Sequence, residues 1–84
     1  MHYLLFYEKA SDHEQRRIPL QDGHLKHVVA AARSGELMLA GSLSDPDDGA
    51  ALLLFQSDSP AVAENFAKAD PYVVHGVVSR WWVP

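Results

Sequence analysis

Ala69-Asp70-Pro71-Tyr72-Val73 is where the second helix of this 84-residue chain has to end. Pro71 has no N–H to give and its ring clashes with the preceding turn, so it cannot continue a helix, and it pushes Asp70 toward extended geometry. A carboxylate at such a corner projects from a fixed place. Far upstream, Gly23-His24-Leu25 sets an imidazole on a predicted helix, at a position that should face the same end of the sheet. A His and an Asp joined by the fold make an acid–base pair. Each also has a plainer local reading: Asp70 as a helix-end or turn residue, and His24 as a boundary residue on an apolar stripe.

Working outward from the corner, Asp58-Ser59-Pro60 opens the helix, with Ser59 as N-cap and Pro60 at the first helical position. Val62, Ala63, Phe66 and Ala69 form its inner face, and Glu64 and Lys68 pair outside at i, i+4. Beyond the corner, Gly76 precedes a strand over 77–83. At the other end of the chain, residues 3–8 read as an aromatic-rich strand, ended by Lys9-Ala10-Ser11-Asp12. The charged run His13-Glu14-Gln15-Arg16-Arg17 reads as a solvated loop or first turn; the sharper reading sets Arg17 beside an anionic substrate. Leu20, His24, Val28 and Ala31 repeat at helical spacing, which predicts a helix over 19–34 capped by Gly35.

Residues 37–41 form a second, wholly apolar strand. Gly41 and Ser42 at its end permit close backbone approach to a ligand, or simply a bend. Ser44-Asp45-Pro46-Asp47-Asp48-Gly49 is a turn cluster, and it leads by a hairpin to a third strand over 50–55. The order strand, helix, strand, strand, helix, strand predicts an α+β chain of ferredoxin-like βαββαβ type. Its four-stranded antiparallel sheet would carry two helices on one face. Two helices cover only that face, yet the strands are apolar on both: Leu52 and Leu54 against Leu53 and Phe55, Val78 and Trp82 against Val77 and Trp81. A second copy packed sheet to sheet covers the remainder, giving a homodimeric α+β barrel.

Composition sets the outer bounds. Eighty-four residues make one domain, 1–84, with a core small enough that oligomerisation is the expected source of extra stability. The apolar content of 48% argues against disorder. No cysteine is present, which removes a disulfide frame, a thiolate nucleophile and a thiolate zinc site. A net charge of −4 without a basic stripe disfavours nucleic acid. No apolar run reaches membrane-spanning length, and the N-terminus lacks a basic region and a cleavage site, so a soluble cytoplasmic protein is expected. No Gly-rich phosphate loop follows a strand into a helix, so no cofactor is expected. His24, His27 and Asp70 form an alternative three-ligand metal set, because the two histidines are one helical turn apart. The metal-free pair is preferred, since His27 can equally face solvent.

Several of these segments together resemble the YCII-related (YciI-like) family of small dimeric α+β barrel proteins. The resemblance covers nearly the whole chain. It rests on the hydrophobic opening strand, Arg17 ahead of His24-Leu25, Gly35-Glu36-Leu37, Gly41-Ser42-Leu43, Ala69-Asp70-Pro71-Tyr72-Val73 and Gly76-Val77. It implies a His–Asp active site, here His24 and Asp70, in a pocket near the dimer interface. One activity in the family is dehydrochlorination of a chloro-hydroxyhydroquinone, which implies proton-transfer or elimination chemistry on an aromatic-like substrate. The chain departs from the family pattern in carrying Ser42 where Pro is usual, and in ending at Trp82-Val83-Pro84 without the usual longer tail.

Two functions of different class follow. One is a small enzyme in which His24 is the general acid or base and Asp70 orients it. In that enzyme Arg17, Gly41, Ser42 and Tyr72 bind the substrate. The other is a non-catalytic module, binding a small ligand or a protein partner through the same pocket or serving as an accessory protein. The geometry between His24 and Asp70, and whether Tyr72 or a Trp fills the pocket, separates them.

Overall fold

A computed structural model describes residues 1–43 and 50–84. Strand β1 (His2–Lys9) leads into a single helical turn, α1 (His13–Arg16), and then a 3-10 turn (Ile18–Leu20) that runs into helix α2 (Gln21–Arg33). Strands β2 (Leu37–Ser42) and β3 (Ala50–Gln56) follow, then α3 (Ala61–Ala69), the one-turn α4 (Pro71–Val74) and β4 (Val78–Trp82). The sheet order is β2-β3-β1-β4, and all neighbours are antiparallel. This is the expected ferredoxin-like α+β arrangement. The turn expected over 44–49 lies outside the described residues.

Two single-turn helices are added to the two expected. The charged run after Asp12 closes a turn, with the Arg17 N–H donating to the His13 carbonyl. Its Arg16 guanidinium then reaches across the chain and donates to the His75 and Gly76 carbonyls, at 2.8 and 3.1 Å. This run is therefore more than a solvated loop. The second addition, α4, starts immediately after the corner because Pro71 is pre-set for a first helical position. Helix α3 begins one residue later than expected, at Ala61, whose N–H is accepted by Ser59 Oγ at 3.3 Å.

The helices cover one face of the sheet. Leu5 and Tyr7 of β1, Leu53 and Phe55 of β3 and Val78 of β4 pack with Ala63, Phe66 and Ala67 of α3, and α2 adds Val28 and Ala31. The Phe55 and Phe66 rings meet at 5.2 Å with planes 58° apart, a tilted contact that suits their quadrupoles.

Two bulges change which residues share a face. In β4, Lys9 pairs with Val78 and Glu8 with Arg80, so Ser79 is the extra residue. Val78 and Trp81 consequently both pack on the helix side, while Trp82 goes to the other face and stacks on Phe6 at 5.4 Å. Simple alternation, which grouped Val78 with Trp82, is corrected by that inserted residue. In β2 the extra residue is Met38: Leu37 faces Phe55, but Leu39 faces Leu54 and Ala40 faces Leu53. The slip turns Ala40 and Ser42 toward the helices. Side chains this small leave space between the end of the sheet and α2.

The face away from the helices carries Leu4, Phe6, Leu39, Leu52, Leu54 and Trp82 in adjacent register positions. Leu4 is 38% exposed and Leu39 65%. Adjacent leucines of β1 therefore sit in opposite environments, which can be measured. Leu5→Ala should cost about 2–5 kcal/mol in a urea melt. Leu4→Ala should cost under about 1 kcal/mol when measured in the monomeric chain, for example in a Leu52→Lys background. The reverse order would contradict this register.

Candidate active site

Asp70 has φ −69° and ψ 123°, the extended corner that Pro71 imposes, and it both ends α3 and begins α4. Its side chain folds back as the N-cap of α4, where Oδ1 accepts the Tyr72 N–H at 3.0 Å. It is 0% exposed. A carboxylate this deep requires donors, and three elements supply them. His24 Nδ1, from α2, lies 2.8 Å from Oδ1, and Tyr7 Oη, from β1, donates to Oδ2 at 2.7 Å. Burial by itself pushes the Asp70 carboxyl up, but the hydrogen bonds from His24, Tyr7 and the Tyr72 N–H outweigh it and hold the group below its ordinary value. Asp70 is therefore the acceptor, which assigns the proton on the facing His24 nitrogen to Nδ1.

The sequence around His24 lets α2 come close enough for this bond. Gly23 lies against the corner proline: a Cβ there would be in van der Waals contact, 3.4 Å from Pro71 Cγ, so α2 and the corner pack closely. The His24 ring then lies flat on the Tyr72 ring, with centroids 3.8 Å apart and planes within 6°. The His24 side chain is 23% exposed, and Nε2 has no protein partner among the described residues.

His24 opens onto a cavity of about 320 Å³ between α2 and the end of the sheet. Its polar lining includes Tyr7, Lys9, Arg17, His24, Ser42 and Tyr72, and its apolar lining includes Leu25, Val28, Leu53, Val77 and Val78. The volume is at the small end of the ligand-site range and suits a single-ring molecule.

The residues singled out from the sequence thus meet at one place, with different contacts. His24 and Asp70 are in direct contact. Arg17 lines the cavity and makes no ion pair among the described residues. Ser42 also lines it, and its Oγ accepts a hydrogen bond from Lys9 Nζ at 2.8 Å. Gly41 pairs with Leu52 of the outer face, and a Cβ added there would meet nothing within 4 Å, so its backbone forms only part of the rim. Tyr72 packs on His24 rather than filling the cavity. His27 is turned away: its Nε2 lies 2.8 Å from the Phe66 carbonyl and its ring stacks on Phe66. It does not join the pair, so the alternative ligand set is not assembled. Among the described residues no three His, Asp or Glu side chains are grouped to hold a metal.

Tyr7, Lys9 and His13 line the site but escape the sequence reading. Tyr7 looks like an ordinary core aromatic of β1; burial and the Asp70 carboxylate push its hydroxyl far above the usual phenol value, so it remains a donor. Lys9 looks like the end of a strand. Alternation from Leu5 and Tyr7 was the available signal that its side chain shares their face.

The depressed Asp70 carboxyl has a signed consequence for stability. Its contribution is fully present above the unfolded value near 3.8 and is lost as pH falls through the lower folded value. Wild type should therefore lose stability below about pH 4 that Asp70→Asn does not lose. Tyr7→Phe should cost about 1.5–3 kcal/mol at neutral pH, the scale of a hydrogen bond to a charged group. Urea melts from neutral pH to about pH 3 read both effects. A stability difference between wild type and Asp70→Asn that does not change with pH would contradict the ionised, hydrogen-bonded carboxylate.

A family model for the YCII-related domain matches residues 1–83. No curated protein matches the chain. Among solved structures it is similar to 5-chloro-2-hydroxyhydroquinone dehydrochlorinase (TftG) from Burkholderia phenoliruptrix AC1100, in complex with 2,5-dihydroxybenzoquinone. The TM-score is 0.80 at 19% sequence identity, over 100% of this chain and 91% of that one. At that identity the likeness speaks for the fold. With nearly its whole length matched by the family model, the chain belongs to the YCII-related family.

Proposed function

We propose that this protein is a homodimeric enzyme that moves protons on a small, acidic, ring-shaped substrate. His24 is the general base and acid, and Asp70 holds it. The observation that carries this reading is the 2.8 Å contact from His24 Nδ1 to the buried Asp70 carboxylate, which leaves Nε2 without a partner on a residue lining a cavity. An imidazole exchanges protons near neutral pH, and a fixed carboxylate on its far side sets the tautomer and stabilises the imidazolium formed in the reaction.

The chemistry needs only this pair. Nε2 takes the proton of an acidic ring hydroxyl. Returning that proton to a ring carbon gives the keto tautomer. Where that carbon carries a halogen, loss of a second hydroxyl proton to Nε2 expels halide, so that one proton and one halide leave in total. In this reading Arg17, with the Gly41-Ser42 backbone at the rim, holds the oxyanion, and Tyr72 fixes the imidazole plane from one side. The dehydrochlorinase of like fold acts on a substrate of this kind, which makes chlorinated hydroxyhydroquinones the first compounds to try.

The homodimer rests on the outer face of the sheet. Phe6, Leu52, Leu54 and Trp82 form a continuous apolar surface with Leu4 and Leu39 that no part of the described chain covers. A second copy packed face to face would bury it. Sedimentation should give twice the chain mass of 9.3 kDa, and Leu52→Lys should give the monomer. A wild-type monomer at micromolar concentration would remove the dimer from this proposal.

The catalytic test is a turnover screen of chlorinated and unchlorinated hydroxyhydroquinones, read by loss of substrate and release of chloride. His24→Gln should lower the rate by about 100-fold or more in a chain that still folds, with a stability loss of about 1.5–3 kcal/mol from the donor taken from Asp70. Activity that survives in His24→Gln would end the assignment. Saturable binding without turnover would favour the ligand-binding module.

A further inference from the structure

Resting on the reading of this cavity as a substrate site, we infer that the substrate enters as a small single-ring organic anion, gripped by Lys9 together with Arg17. Both side chains line the cavity that His24 opens onto. Neither makes an ion pair among the described residues; Lys9 Nζ is held only by Ser42 Oγ, at 2.8 Å. The chain has 11 acidic residues against seven Lys and Arg, yet no Asp or Glu stands among the described residues lining the cavity. Among the described residues the nearby carboxylate is Asp70, which lies behind His24 and already accepts from three donors. Two cations thus line one cavity with no acidic partner among the described residues, which suits it to an anion.

The electrostatics agree with the placement. Burial, and then the Arg17 charge, push the Lys9 ammonium below its ordinary value. Burial raises the Tyr72 hydroxyl, and the Arg17 charge partly opposes that. Arg17 thus acts on both Lys9 and the tyrosine stacked on His24. An anion held by the two cations would relieve the repulsion between them while its ring lay among Leu25, Val28 and Leu53. His13 lines the same cavity, and its buried Nδ1 has no partner among the described residues, so a further polar contact is open there. Ser42 holds the Lys9 ammonium on the cavity side. The bulge at Met38 is what turns Ser42 to that side.

The experiment compares two probes of nearly equal shape, benzoate and benzamide, titrated into the full chain and followed by amide chemical shifts. Benzoate should bind about tenfold more tightly than benzamide, the scale of one charge-assisted hydrogen bond. The preference should fall toward onefold in Lys9→Met/Arg17→Met. In wild type it should shrink as salt is raised to about 0.5 M, because the cavity is open to solvent. This salt series stands even if the double variant does not fold. Equal affinity for the two probes, or no saturable shift with either, would overturn the inference, as would a preference unchanged in a folded double variant. His24→Gln keeps both cations and should retain the preference while losing turnover. Failure of the anion grip is thereby distinguished from failure of the acid–base assignment.

Discussion

A fully buried carboxylate is the constraint on which this structure depends. Removing Asp70 from water is costly unless the charge is hydrogen-bonded, and the donors come from three separate elements. Tyr7 comes from the first strand, His24 from the long second helix, and the Tyr72 N–H from the turn of helix that Asp70 itself begins. Folding and site assembly are therefore the same event at this point. The ion pairs at the surface differ in kind: Arg80 to Glu8 spans 3.9 Å and Arg16 to Asp12 spans 3.6 Å, both with well-exposed partners. Such pairs contribute little. The buried hydrogen bonds at Asp70 serve to orient one imidazole.

The cavity follows from what the sheet does opposite that imidazole. A bulge in β2 puts Ala40 and Ser42 where unbroken alternation would put Leu39 and Gly41, and the small side chains leave room beneath α2. A second bulge, at Ser79, sends Val78 and Trp81 inward together and releases Trp82 to the outer face. One strand irregularity thus shapes the site, and the other feeds the apolar surface proposed to join two copies. The local charge of the cavity opposes the net charge of the chain, so its anion preference has to be short-ranged: at physiological salt, screening over about 8 Å removes most of the rest.

Much of this was legible in the sequence. The helix period through Leu20, His24 and Val28, the Pro60 and Pro71 boundaries and the apolar strands give the element order and the sheet type. The Asp70 corner was legible because proline acts on its immediate neighbour. What remained hidden lies beyond neighbour effects. Tyr7 and Asp70 are 63 residues apart, and their bond depends on how far α4 and β1 approach. The bulges were hidden because strands apolar on both faces carry no alternation to mark a slip in register. Helix α4 was hidden by a one-sided reading of Pro71, which stops one helix and starts the next. Lys9 has the local sequence of a strand end, although β1 continues through it.

The tautomer of His24 tests the central claim most directly. Long-range proton–nitrogen correlation on ¹⁵N-labelled protein, at a pH where the ring is neutral, reports which nitrogen carries the proton. The account predicts the proton on Nδ1, facing Asp70, with Nε2 unprotonated and free to accept a proton from a substrate. A neutral His24 with its proton on Nε2 would mean that Asp70 does not hold the ring, and the acid–base reading of the site would fall with it.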